Sequence, residues 1–273
     1  MEINWVRELK DEGSTYIKNV FSIREINLLE KIINHMKKTE NIYSGMNPFV
    51  TNKNRSGGYI GGYTPGKQVR LTKNGKLIIK IFQNKFKKYF KEIFKNKNHS
   101  SIYFENTMYF ECFPNCEEQE IHLDITINDR DGDRLKFWKE SKKGESGAYI
   151  IIIPLTDSTT EMGSTNYYKT KFWNELTKNE LEELYAKQNN SINSYNKNNF
   201  GYLKDWSGSI RNKLEKNKKI KDVFKGDIQI QNTMSLHAGG KNKTNKIRKY
   251  ILQWVVFSKN NINILNKEKI IKI

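Results

Sequence analysis

Strand-like runs at 102–113, 121–127, 147–155, 226–237 and 247–258 recur from Ile102 onward, and they constrain the fold more than any other feature. The most apolar of them, Ala148 to Leu155, is strand-sized and far short of the ~18 apolar residues a membrane span needs. The segment 166–225 interrupts the strands with helical and Asn-rich polar sequence. Ahead of the strands the pattern is helical. Ser22-Ile-Arg-Glu25 has capping-box spacing, and Ile26, Leu29, Ile33 and Met36 follow at helical intervals. A short strand is predicted over 12–21, a glycine-rich loop over 44–66, and a second amphipathic helix from Leu77 to Phe94. No internal repeat or linker divides the chain. At 273 residues, folding can bury roughly three quarters of the unfolded surface. The expectation is an α+β, mainly β, single domain over 1–273. It has a helical N-terminal part of about 1–100 and a β core of about 101–258, with 166–225 as an insertion.

The aromatic content of 12% excludes a disordered chain. The net charge of +18 invites a nucleic-acid partner. However, Lys, Asn and Ile crowd the whole chain, as they do when codon usage is AT-rich. The denser clusters, Lys85 to Lys91 and Lys213 to Lys219, read as solvated faces of amphipathic helices. A small-molecule substrate is therefore expected rather than nucleic acid, and no membrane. Cys112 and Cys116 are too few for a disulfide framework. The start of the sequence lacks the basic-then-apolar pattern of a signal peptide, so a cytoplasmic location is expected. Two motifs carry little. Gly61 to Lys67 has phosphate-loop spacing, but Gln68 stands where a Ser or Thr should hold magnesium. Asp129-Arg-Asp131-Gly132-Asp133 resembles a calcium loop with a misplaced glycine and no closing glutamate.

The residues that carry chemistry begin at Glu120-Ile-His122-Leu-Asp124-Ile125. In a strand, residues i and i+2 share a face, so His122 and Asp124 project together. An imidazole and a carboxylate side by side are two thirds of the two-His-one-carboxylate triad that holds Fe(II) and leaves coordination positions open. A lone His-x-Asp is weak, since with four histidines it arises by chance in roughly one such chain in five. The third ligand should be a histidine on a later strand. His237 ends the strand-like run 226–237, whereas His35 reads as a surface residue and His99 as a loop residue. After His237 a turn-forming segment leads to Arg248, and a hairpin of that length returns Arg248 to the neighbourhood of His237. The arginine fork suits a bidentate grip on a carboxylate, here the distal carboxylate of a keto-acid co-substrate.

These residues resemble the phytanoyl-CoA dioxygenase family of Fe(II)/2-oxoglutarate oxygenases. Asp11 to Ser22 is similar to that family's N-terminal strand leading into its first helix. Phe113-Pro-Asn-Cys-Glu-Glu-Gln-Glu-Ile-His122-Leu-Asp124 resembles its approach to the first ligand, and the spacing from His237 to Arg248 matches. Glu161 to Thr170 resembles its post-strand segment, although Tyr168-Lys169-Thr170 stands near the usual Pro-Gly-Ser-His. Arg248-Lys-Tyr250 lacks the Arg-x-Ser of the plant-type branch. The resemblance implies a double-stranded β-helix (jelly-roll, cupin-like) core with N-terminal and inserted helices. It implies Fe(II) on His122, Asp124 and His237, and 2-oxoglutarate held by Arg248. O2 is the co-substrate, and succinate and CO2 are the co-products. Tyr109 and Thr165 are further candidates for the co-substrate pocket. Because Asp124 is present, hydroxylation of an unactivated C–H is expected rather than halogenation, while desaturation and ring closure use the same ligands. Two segments, 128–147 and 166–225, are expected to cover the site, and their Arg and Lys content points to an anionic or zwitterionic small molecule. The alternatives are a hydroxylase of protein or nucleic acid, or a basic binding module without activity.

Overall fold

The computed structural model describes residues 4–40, 54–64, 67–69, 72–93, 101–119, 121–122, 148–183, 208–233, 235–258 and 271–272. The chain opens with α1 (Asn4–Glu12), which the sequence reading did not anticipate, and continues into β1 (Ser14–Ile17). Helix α2 (Ile23–Thr39) begins at the predicted capping box: Ser22 Oγ accepts from the Glu25 N–H at 3.2 Å, and Glu25 accepts from the Ser22 N–H at 2.8 Å. Next come β2 (Arg55–Thr64), β3 (Lys67–Val69), α3 (Lys73–Ile93) and β4 (Ser101–Cys112). The later elements are β5 (Ala148–Pro154), β6 (Thr165–Tyr168), α4 (Phe172–Glu175), α5 (Gly208–Asn217) and β7 (Lys218–Lys219). Strands β8 (Ile228–Asn232), β9 (His237–Gly239), β10 (Arg248–Ser258) and β11 (Ile271–Lys272) complete the order.

Among the described residues, eight strands form one antiparallel sheet in the order β1-β8-β5-β10-β4-β2-β3, with β11 also on β4. A second sheet has the order β7-β6-β9. The run of isoleucines in β5 explains the layering. Ile151 and Ile153 face one way, into a core with Ile26, Leu29 and Ile33 of α2 and Phe82, Phe86 and Phe90 of α3. Ile150 and Ile152 face the other way, against Phe110, Cys112 and Tyr250. A strand buried on both faces has no need of polar alternation. The three phenylalanines of α3 are fully buried, each burial contributing ~1.5–3 kcal/mol. Lys37 of α2 ties the helical layer to the sheet through a bidentate ion pair with Glu111, 2.8 Å to each oxygen. Among the described residues no helix is long and apolar enough to cross a membrane.

Three expectations need correction. The glycine-rich stretch 44–66 was expected to be a loop, but Arg55–Thr64 is a strand. Pairing with β4, from Arg55↔Cys112 to Gly61↔Thr107, overrides the weak strand preference of its glycines. The run 226–237 is not one strand. The strand in the large sheet ends at Asn232, and the strand in the small sheet begins at His237. For the same reason β9 and β10 do not form a hairpin. Strand β9 pairs with β6, while β10 pairs with β4 and β5. The segment 128–147 lies outside the described residues, as do 184–207 of the insertion.

Candidate active site

The large sheet's register decides which side chains share its non-helical face. Partners across strands point the same way, so Arg248 shares a face with Cys112, Tyr250 with Phe110, and Trp254 with Ile150. The series continues through Gln231 and Gln229 of β8 to Ser14 and Tyr16 of β1. The small sheet covers this face: the rings of Tyr16 and Tyr167 lie 6.1 Å apart.

His122 and His237 meet at the rim of the small sheet. They form an antiparallel bridge in which His122 N–H donates to the His237 carbonyl at 2.9 Å and His237 N–H to the His122 carbonyl at 3.0 Å. Their ring centroids are 4.4 Å apart. His237 is buried and His122 half-buried. His237 Nδ1 lies 3.1 Å from the Ser235 carbonyl, which also accepts from Gln231 Nε2 at 3.3 Å. A carbonyl only accepts, so Nδ1 bears a proton, and in the neutral ring Nε2 then carries the lone pair. A backbone carbonyl on the far ring nitrogen is how proteins orient a ligating histidine. Asp124 lies outside the described residues.

Arg248 starts β10 and is 1% exposed. Its Nη1 donates to the Gly163 carbonyl across the two sheets, and its Nη2 reaches Cys112 Sγ at 3.2 Å. The guanidinium lies over the Tyr250 ring, 4.9 Å from its centroid. Gly163 precedes Thr165 by two residues, and Thr165 pairs with Gly239, itself two residues after His237. Arg248 and His237 thus approach the same short stretch of backbone, through a crossing between sheets rather than a hairpin. Thr165 is buried within this stretch.

Tyr109 is a correction. It lies on the helical face of β4, opposite to Cys112 and Arg248, within the core shared with α2 and α3. Its hydroxyl donates to Glu111 at 2.7 Å, and Lys37 lies 5.5 Å from its ring centroid. A three-residue offset from Cys112 along a strand puts it on the wrong side. Tyr109 therefore serves the interior packing, not the co-substrate pocket.

Sequence reasoning missed Arg55, Cys112, Gln231 and Ser235. Arg55 is 3% exposed and donates from Nε to Cys112 Sγ at 3.3 Å. The hydrogen bond from Cys116, aided by Arg248 and Arg55, holds the Cys112 thiol well below the usual range, while that same bond and burial push Cys116 up. Burial pushes the phenols of Tyr16 and Tyr167 up, so both remain protonated donors.

Among the described residues, five buried side-chain polar atoms lack a hydrogen-bond partner, and four of them belong to the non-helical face: Tyr16 Oη, Gln231 Oε1, Arg248 Nε and Trp254 Nε1. Buried polar groups are normally satisfied, so these four atoms are open to water or to a polar ligand on this face.

No family model and no curated protein matches the chain. Solved structures do resemble it. The non-heme alpha ketoglutarate dependent carbocyclase SnoK from nogalamycin biosynthesis is 11% identical, with 94% of this chain and 84% of that one covered and a TM-score of 0.58. The non-heme alpha ketoglutarate dependent epimerase SnoN from the same biosynthesis is 9% identical, with 92% and 81% covered and a TM-score of 0.56. AviO1 from Streptomyces viridochromogenes Tue57 is 10% identical, with 92% and 93% covered and a TM-score of 0.52. At such identities the likeness shows the fold: this chain shares the mixed helical and antiparallel-sheet fold of SnoK and SnoN.

Proposed function

We propose that the chain is an Fe(II)/2-oxoglutarate-dependent oxygenase of the phytanoyl-CoA dioxygenase-like type. In this reading one domain spans 1–273, and its two sheets form a double-stranded β-helix. The reaction is hydroxylation of an unactivated C–H in a small anionic or zwitterionic molecule rather than in a nucleic acid. The observation that carries the reading is the isolated antiparallel bridge between His122 and His237, which sets two imidazoles with centroids 4.4 Å apart.

His122, Asp124 and His237 are the proposed Fe(II) ligands. The residues present fit that group: the Ser235 carbonyl fixes the His237 tautomer, and the unmet donor Arg248 Nε awaits an acceptor. Bound Fe(II) supplies the O2-dependent oxidation that is coupled to conversion of 2-oxoglutarate into succinate and CO2. Arg248 is proposed to receive the distal carboxylate of 2-oxoglutarate, held in orientation by the Gly163 carbonyl and the Tyr250 ring. Thr165 lines the same stretch and is proposed to offer its hydroxyl to the co-substrate. The sheet-on-sheet interior excludes water from the oxidising centre.

The test is anaerobic titration of the purified protein with Fe(II) and 2-oxoglutarate. One Fe(II) per chain is expected, with a visible metal-to-ligand absorption band. A His122→Ala, His237→Ala double variant that binds Fe(II) as well as the parent would overturn the reading.

A further inference from the structure

Strands β2, β4 and β10 place Arg55, Cys112 and Arg248 directly opposite one another, since Cys112 is the register partner of both arginines. The sulfur lies 3.3 Å from Arg55 Nε and 3.2 Å from Arg248 Nη2. All three residues are buried: 3% exposed for Arg55, 0% for Cys112 and 1% for Arg248. Among the described residues the other contacts of the two guanidinia are neutral. Arg55 Nη2 donates to the Glu117 carbonyl at 3.3 Å, and Arg248 meets the Gly163 carbonyl and the Tyr250 ring. Among the described residues no ion pair involves either arginine.

Guanidinium does not release its proton in a protein. Two such cations buried around one atom repel each other, and burial without a counter-ion is strongly unfavourable. A neutral thiol offers them only a weak acceptor. We infer that Cys112 is ionised, that its thiolate is the anion shared by Arg55 and Arg248, and that it positions Arg248 for a carboxylate. Cys116, its thiol 3.6 Å from the Glu117 carbonyl, and Tyr250 are the other titratable groups against the cluster, and both stay protonated. The charges then balance in two stages. Two cations and one thiolate leave a single positive charge, and one incoming carboxylate neutralises it. Arg55 is thus what allows thiolate and carboxylate to share a site. Only the identity of that carboxylate rests on the proposed function. The ionisation of Cys112 does not.

The experiment uses the full chain, without iron or 2-oxoglutarate, and follows the ultraviolet absorption of thiolate against pH. With two cysteines in the chain the signal has at most two sources. One thiolate is expected at neutral pH, retained in Cys116→Ser and lost in Cys112→Ser. A parent protein and a Cys116→Ser variant that show no thiolate until about pH 8.5, the ordinary thiol range, overturn the inference without need of any Cys112 variant. A second arm measures 2-oxoglutarate affinity in the Fe(II)-loaded protein. Cys112→Ser should weaken it roughly tenfold, the scale of one charge-assisted hydrogen bond, with Fe(II) binding intact. Cys112→Asp, which restores an anion, should recover most of that loss. Unchanged affinity in Cys112→Ser overturns the positioning role. A parent that carries the thiolate but binds no 2-oxoglutarate supports the ionised Cys112 and overturns the oxygenase reading instead.

Discussion

The crossing between the two sheets rests on a glycine, and Gly163→Ala tests how tightly they meet there. Gly163 has φ of +81°, a conformation that costs an alanine about 1–2 kcal/mol. An added Cβ would also lie 2.3 Å from the Gly240 carbonyl oxygen, 2.7 Å from its carbon and 2.8 Å from the Lys241 carbonyl carbon. These are backbone atoms, so no rotamer change relieves the overlap. Gly240 cannot withdraw freely, since its own Cβ position lies 2.8 Å from the Ser164 carbonyl oxygen. Overpacking of this kind adds about 1–3 kcal/mol, for a total of about 2–5 kcal/mol. At about 2 °C per kcal/mol for a chain of this length, the melting temperature should fall by about 4–10 °C. Gly208→Ala is the control. It heads α5 with nothing within 4 Å of its Cβ position, and should be neutral or gain up to about 1 kcal/mol. Thermal and urea unfolding of both variants read the difference. Equal melting of the two would refute the close approach of Gly163 to Gly240.

Two further outcomes are expected. Arg248→Ala should raise the 2-oxoglutarate requirement by more than tenfold, from the roughly 2–5 kcal/mol lost with one partner of a buried charged pair, and leave Fe(II) binding intact; an unchanged titration moves the grip to another residue. Glu180 bonds to Lys213 at 2.7 Å, with help from Ser209 and the Thr177 N–H, and these lower its pKa from 4.5 to about 2. A depressed carboxyl stabilises the fold fully above its unfolded value, and that contribution fades as pH falls from 4.5 towards about 2. Glu180→Gln should therefore melt below the parent at pH 7, with the gap closing across that acid window; a gap independent of pH would contradict the assignment.

His122, His237 and Arg248 could be singled out as candidates because each stands in a local sequence pattern, a His-x-Asp or a spacing between late strand-like runs. The helical layer was legible for the same reason, through the Ser22 capping box and the apolar stripe behind it. Arg55 and Cys112 were not. Their meaning arises only when β2 and β10 take places on either side of β4, and register across half the chain leaves no local mark. The glycines after Arg55 hid the strand itself, since strand preference reports packing against neighbours rather than the backbone alone. Tyr109 shows the converse error: a pocket hydroxyl was assigned by residue type, where strand parity relative to Cys112 decides the face.

The position of β1 carries a consequence for how the protein is made. Ser14 pairs with Gln231 and Ile17 with Ile228, so among the described residues a strand near the start of the sequence meets its partner more than two hundred residues later. A ribosome adding about 5–20 residues per second leaves roughly 10–40 s between synthesis of the two strands. Throughout that interval the hydrogen-bonding edge of β1 has no native mate, and the apolar side chains of α2 and α3 wait for the sheet that covers them. Completion of the sheet thus waits for β8, and until it emerges the open edge of β1 and these apolar side chains are exposed to wrong partners.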